Sequence, residues 1–138
     1  MDARLDLRIS DAQVHSVIEG GFWLETLKEL RTVQDLEEAL NQSHQRPVLL
    51  FKHSLTCSIS DRALSEFKAH LKNPDPRISY KLITVQTARA VSDEAAARLK
   101  IEHESPQAIL VRNGRELWNA SHNQITAAAL QDAIQHTD

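Results

Sequence analysis

The chain has 138 residues, of which 41% are hydrophobic, 25% charged and 4% aromatic, the composition of one globular domain with a core of Leu, Ala, Val and Ile. A formal net charge of −3, from 16 Lys and Arg against 19 Asp and Glu, excludes the basic footprint of a nucleic-acid binder or a polybasic membrane anchor. A single cysteine, Cys57, excludes an intramolecular disulfide and a four-thiolate zinc site, and apolar runs such as Val48 to Phe51 fall far short of the roughly 20 residues that cross a bilayer.

At the N-terminus, Leu5, Leu7 and Ile9 alternate with polar residues, and Ser10 or Asp11 is placed to cap a short helix over Ala12 to Glu19 that stops at Gly20-Gly21. The charges mixed through this opening leave no continuous apolar stretch of the kind secretion needs, so a cytosolic protein with a reduced thiol is the expectation. Phe22 to Leu27 reads as a first strand. Thr32 or Asp35 then caps a helix reaching about Ser43, with Leu36, Ala39 and Leu40 on one face. Val48 to Phe51 is apolar on both faces, as a mid-sheet strand covered by helices on each side must be.

His53 to Thr56 reads as a polar loop. Cys57 opens a helix to about Leu71, with Ala63, Leu64, Phe67 and Leu71 spaced for burial and Asn73-Pro74-Asp75-Pro76 ending it. Ile78 to Val85 is the next strand, and Ser92 or Asp93 caps an Ala-rich helix over Glu94 to Lys100. Gln107 to Val111 forms a strand, Asn113-Gly114 a hairpin turn, Arg115 to Ala120 an antiparallel return, and Ile125 to Ile134 the closing helix. This alternation predicts a three-layer α/β/α sandwich whose mixed sheet combines a parallel unit with a terminal hairpin. Ligands of such sheets bind at the carboxyl ends of the parallel strands, which is where Cys57 falls.

A cysteine in the first turn of a helix meets unpaired amides and the positive end of the helix dipole, both of which favour the thiolate. Such cysteines titrate at about 3.5 to 7.5 rather than near 8.5. Three residues on, Ser60 stands where a second cysteine completes a C-x-x-C pair, so a mixed disulfide on Cys57 has no resolving thiol within the chain. His53, Ser54, Thr56, Ser58 and Ser60 read as a polar, exposed neck around it. Ser105-Pro106, just before a strand, is a candidate cis peptide.

These residues carry a resemblance. The string Phe51-Lys52-His53-Ser54, then Thr56-Cys57 and Ile59-Ser60, with His103-Glu104-Ser105-Pro106-Gln107 and Ser121-His122 further on, resembles the monothiol bacilliredoxin family, the YtxJ-like proteins of the bacillithiol system. The likeness runs from about Phe22 to Ile134 and implies a thioredoxin-like domain over residues 22–138, with residues 1–21 as an extension of unassigned role. It implies that Cys57 is the redox-active thiol, that Pro106 is the cis-proline facing it, and that the activity is removal of bacillithiol from protein mixed disulfides, or handling of protein disulfides, under oxidative stress. The expected partners are therefore proteins carrying mixed disulfides and a low-molecular-weight thiol as co-substrate, with no bound cofactor. Ser58 departs from the pattern, where a proline usually follows the cysteine, and gives the helix start one extra N–H donor.

Lys52, His53, Thr56, Ser58, Ser60, Ser105 and Pro106 are the residues expected to bind thiol or substrate, with Thr56 and Ser60 lining the approach and Ser105 presenting its backbone to an extended segment. His53 and His103 are placed to approach Cys57, although satisfied polar groups at strand ends are the simpler reading, as a solvated side chain is for Lys52. The seven histidines show no H-x-x-x-H pair, so no metal site is expected. Two other classes remain open from the residues: a binding module of the same fold with an incidental cysteine, and an iron–sulfur carrier. The second is disfavoured because Ser58-Ile59 replaces the Gly-Phe that precedes the serine in monothiol glutaredoxins.

Overall fold

The computed structural model describes residues 26–56 and 58–137. The predicted N-terminal extension, the helix over Ala12 to Glu19, the first four residues of the strand predicted from Phe22, and Cys57 itself lie outside the described residues. The elements are β1 (Leu27–Glu29), α1 (Val33–Gln42), β2 (Val48–His53), α2 (Ser58–Leu71), β3 (Ser79–Thr84), α3 (Arg89–Leu99), β4 (Gln107–Arg112), β5 (Arg115–Ser121), a 3-10 turn (His122–Gln124) and α4 (Ala127–Gln135). The sheet order is β1-β3-β2-β4-β5. β3 runs parallel to both β1 and β2, whereas β4 is antiparallel to β2 and to β5.

All six residues of the central strand β2 are buried, as its two-sided apolar pattern requires. Strand alternation sends Leu49 and Phe51 to one face, where they meet Ala63, Leu64, Phe67 and Leu71 of α2 and Leu130 and Ile134 of α4. Phe51 and Phe67 stack with ring centroids 4.6 Å apart. Val48 and Leu50 point the other way, onto Leu36 and Leu40 of α1 and Val91, Ala95 and Leu99 of α3. Two helices on each face give the expected three layers.

Local chemistry sets the ends. Thr32 caps α1 by a capping box, its Oγ1 accepting from the Asp35 amide while the Asp35 carboxylate accepts from Thr32 N. Asn113 and Gly114 both take positive φ, 56° and 73°, as a tight hairpin with right-handed strand twist demands. Among the described residues no helix is long and apolar enough to cross a membrane.

Several boundaries differ from the sequence reading, among them the closing helix, which starts at Ala127 rather than Ile125. β1 lies at Leu27–Glu29, so the described part of the first strand begins where the predicted one ends. β2 continues through Lys52 and His53, paired with Ile83 and Thr84, so the loop starts at Ser54. α3 begins at Arg89 after an Ala88 N-cap that makes no side-chain bond, and Ser92 is a buried residue inside the helix rather than its cap.

Candidate functional site

The loop between β2 and α2 is short and held from two sides. On one side, the Ser54 amide donates to Ser60 Oγ (3.2 Å), tying the end of β2 to the first turn of α2. On the other, Gln86, just beyond β3, accepts from Leu55 N (3.0 Å) and donates to Ser54 Oγ (2.8 Å) and Thr56 Oγ1 (3.3 Å). One carboxamide therefore fixes three consecutive residues. Thr56 and Ser58, the sequence neighbours of Cys57, are exposed, as are Leu55 and Ile59.

The polar neck is not exposed throughout. Ser60 is fully buried with its hydroxyl oxygen accepting from the loop, and Ser54 is buried beneath Gln86. His53 is also buried; its ring stacks on Phe51 at 6.4 Å, on the α2 face, and Nδ1 has no hydrogen-bond partner. Burial pushes its pKa down against the pull of the Asp61 carboxylate, which favours the neutral imidazole.

Lys52 departs furthest from the sequence reading, because its side chain is completely buried rather than solvated. Alternation turns it to the α3 face, away from α2. There Nζ donates to Ser92 O (3.2 Å) and lies 3.2 Å from His103 Nδ1, which is also 3.2 Å from Ser92 Oγ. An ammonium can only donate, so with Lys52 protonated Nδ1 is the acceptor and the proton of a neutral His103 ring sits on Nε2. Desolvation lowers the Lys52 pKa to about 8, with the Asp93 carboxylate opposing it. The His103 pKa is lowered first by burial and then by the Lys52 charge.

Gln107 stands directly opposite Lys52 across the β2–β4 ladder, and its Nε2 donates to Glu102 O (3.2 Å). The start of the Glu102–Ser105 loop is thus anchored twice, at Glu102 and at His103. The loop leads into a cis Ser105–Pro106 peptide. Pro106 is buried beside the end of β2, and its carbonyl accepts from His122 N (3.1 Å). The hydroxyl oxygen of Ser105 and Oε1 of Gln107 are buried without partners. With His53 Nδ1, three buried polar atoms without a protein partner lie at this end of the sheet.

The structure therefore brings His53, Thr56, Ser58, Ser60, Ser105 and Pro106 to one end of the sheet, where β2 runs into α2 and the cis peptide runs into β4. It directs the Lys52 ammonium to the opposite face. Sequence reasoning missed Gln86, Ser92 and Gln107. Gln86 follows the Ile78–Val85 strand directly, and a polar residue just past a parallel strand's carboxyl end was the available signal. Among the described residues no group of three or more His, Asp or Glu side chains converges to hold a metal ion.

The family model of monothiol bacilliredoxin BrxC matches residues 28–130. Among solved structures, a candidate oxidoreductase with a thioredoxin fold aligns with a TM-score of 0.72 at 29% identity, over 84% of this chain and 99% of its own. Fasciola hepatica thioredoxin aligns at 0.64 with 18% identity, over 80% of this chain and 99% of its own. Schistosoma mansoni thioredoxin gives 0.64 with 20% identity over 82% and 96%. These likenesses show the thioredoxin fold.

Proposed function

The chain belongs to the monothiol bacilliredoxin family, thioredoxin-fold proteins of thiol-oxidoreductase type, and from that membership we propose that Cys57 is the thiol that performs disulfide exchange. The Cys57 thiolate attacks the small-thiol sulfur of a protein mixed disulfide. A new S–S bond forms, the old one breaks, and the protein cysteine leaves as a thiolate that takes its proton from water. With one cysteine in the sequence, the adduct on Cys57 is resolved by a second small thiol, which carries the first away as a low-molecular-weight disulfide. Family membership makes bacillithiol the proposed small thiol.

The observation that carries this reading is the seating of the chain on both sides of position 57. The loop Ser54–Thr56 is fixed by Gln86 and Ser60, α2 starts at Ser58, and the buried cis-Pro106 leads into β4, the antiparallel neighbour of β2. The unpaired amides and dipole of the 14-residue α2 favour a thiolate at the residue before Ser58. Ser105 would offer its backbone to an extended substrate segment.

The test is direct. A peptide carrying a bacillithiol mixed disulfide is incubated with reduced protein, and peptide release and intact protein mass are followed. Wild type should release the peptide and gain one bacillithiol on Cys57, and Cys57→Ser should do neither. Equal release by the two proteins refutes the reading.

A further inference from the structure

The end of the sheet remote from Pro106 carries a groove of its own. β4 runs six residues from Gln107 to Arg112, so Arg112 lies roughly 17 Å from Gln107 at about 3.4 Å per residue. Two cavities, of about 480 and about 610 Å³, meet at that far end and share Arg112 and Thr137 as lining. Each alone falls within the roughly 300–1,000 Å³ of small-molecule sites. Their walls differ in chemistry.

The first cavity is cationic, with Arg46, Arg77 and Arg112 in its wall. Arg46 is held in place by donating from Nε to Arg77 O (3.2 Å) and from Nη2 to Pro76 O, which leaves Nη1 to donate elsewhere. Arg77 is paired with the Asp75 carboxylate (2.8 Å), which offsets its charge. The Arg112 side chain makes no ion pair or hydrogen bond among the described residues. Thr137, at the junction of the cavities, is buried, and its hydroxyl oxygen has no partner among those residues. Two guanidinium groups beside an unpartnered hydroxyl are donors in want of an acceptor, the complement of an oxyanion.

The second cavity is apolar along Leu110, Leu117, Trp118 and Ala133. A bulge in β5 builds it: the pairings Leu110↔Trp118 and Val111↔Glu116 leave Leu117 unmatched. Regular alternation sends adjacent strand residues to opposite faces, but with this extra residue Leu117 and Trp118 both line the groove, and Leu117 stays half exposed. Asp132, the acid of this cavity, faces the His136 ring at 3.7 Å. The groove therefore runs from a positive mouth to a wall with an indole in it.

We propose that this groove binds a small amphipathic anion, a planar apolar body carrying one phosphate or carboxylate, with the oxyanion on Arg112 and Arg46 and the body against Trp118 and Leu117. An inorganic anion meets only the cationic half and a neutral aromatic only the apolar half, so affinity requires both in one molecule. The site is separate from the exchange chemistry and does not depend on the thiol.

Calorimetric titration of the full chain with 2-naphthyl phosphate, 2-naphthoate, 2-naphthol and inorganic phosphate reads both halves of the ligand. At least one naphthyl anion should bind about tenfold or more tightly than either 2-naphthol or inorganic phosphate, the size of one charge-assisted contact, and the better of the two anions identifies the head group as phosphate or carboxylate. Arg112→Gln, at a partly exposed strand end, should weaken the naphthyl anions about tenfold and leave 2-naphthol unchanged. Trp118→Leu, which keeps an apolar side chain on the core, should weaken the naphthyl anions and leave inorganic phosphate unchanged. Naphthyl anions that bind no more tightly than 2-naphthol or inorganic phosphate, or that bind Arg112→Gln as they bind wild type, overturn the proposal.

Discussion

Replacing Lys52 with methionine tests whether the buried ammonium is a burden on the fold. Its pKa drops from an ordinary 10.5 to about 8 because burial strips water from the charge. Roughly 1.4 kcal/mol per unit makes this an upper bound of about 3 kcal/mol against folding while the lysine is protonated in both states. The sign follows from proton binding: between pH 8 and 10.5 the unfolded chain holds more protons at this residue than the folded one, so stability rises with pH there. Below pH 8 the full cost is present. Lys81, also lowered to about 8 by burial, contributes in the same window, whereas Tyr80, raised to about 12 by burial, works against stability above pH 10. The comparison is therefore the gap between variant and wild type, in which Lys81 and Tyr80 cancel. Methionine fills the volume of the lysine stem and leaves Ser92 Oγ to satisfy His103 Nδ1. By urea unfolding, Lys52→Met should be more stable than wild type by about 1–2 kcal/mol at pH 7, once the lost bond to Ser92 O is counted, and the gap should close by pH 10. A gap that stays constant from pH 7 to 10, or a variant less stable at pH 7, refutes the reasoning. Exchange activity should fall in the same variant, because the Glu102–Ser105 loop loses one of its anchors.

Two further substitutions separate site from scaffold. Gln86→Ala removes three hydrogen bonds to the Ser54–Thr56 loop, but water reaches this exposed side chain, so unfolding should cost no more than about 1 kcal/mol while kcat/KM for exchange falls about tenfold. Unchanged kcat/KM would show that the loop holds its shape without the clamp. Thr32→Ala removes the cap of α1, far along the chain from the loop, and should lower stability by about 1 kcal/mol in a urea titration without touching exchange.

Elements dictated by local pattern were legible in the sequence. Val48 to Phe51 could be read as central because only a strand covered on both faces is apolar at every position, and Asn113-Gly114 as a hairpin because few other residue pairs accept two positive φ angles. α2 was readable from the spacing of Ala63, Leu64, Phe67 and Leu71. Misreadings arose where a polar residue is satisfied by a partner remote in sequence. Lys52 reads as solvated until His103, 51 positions away, is seen against it. Ser92 has the composition of an N-cap, yet its hydroxyl turns inward to the same histidine, so the start of α3 was placed too late. His53 and Ser60 look like members of an exposed loop because nothing local reveals the ring of Phe51 or the amide of Ser54 that receives them.

The last two residues of β2 join these observations. Lys52 and His53 leave the strand on opposite faces, and the segment running into Pro106 is gripped on both: below by the Lys52–Ser92–His103 cluster and Gln107, above by His122. A core that needed only stability would place an apolar side chain at position 52, since the buried ammonium works against folding across the neutral range. What the lysine provides is a directional donor that orients His103, and through it the loop two residues ahead of Ser105. A costly polar contact placed where the chain must keep one geometry is the pattern expected of a site held ready for substrate, and it accounts for a buried charge that packing alone does not require.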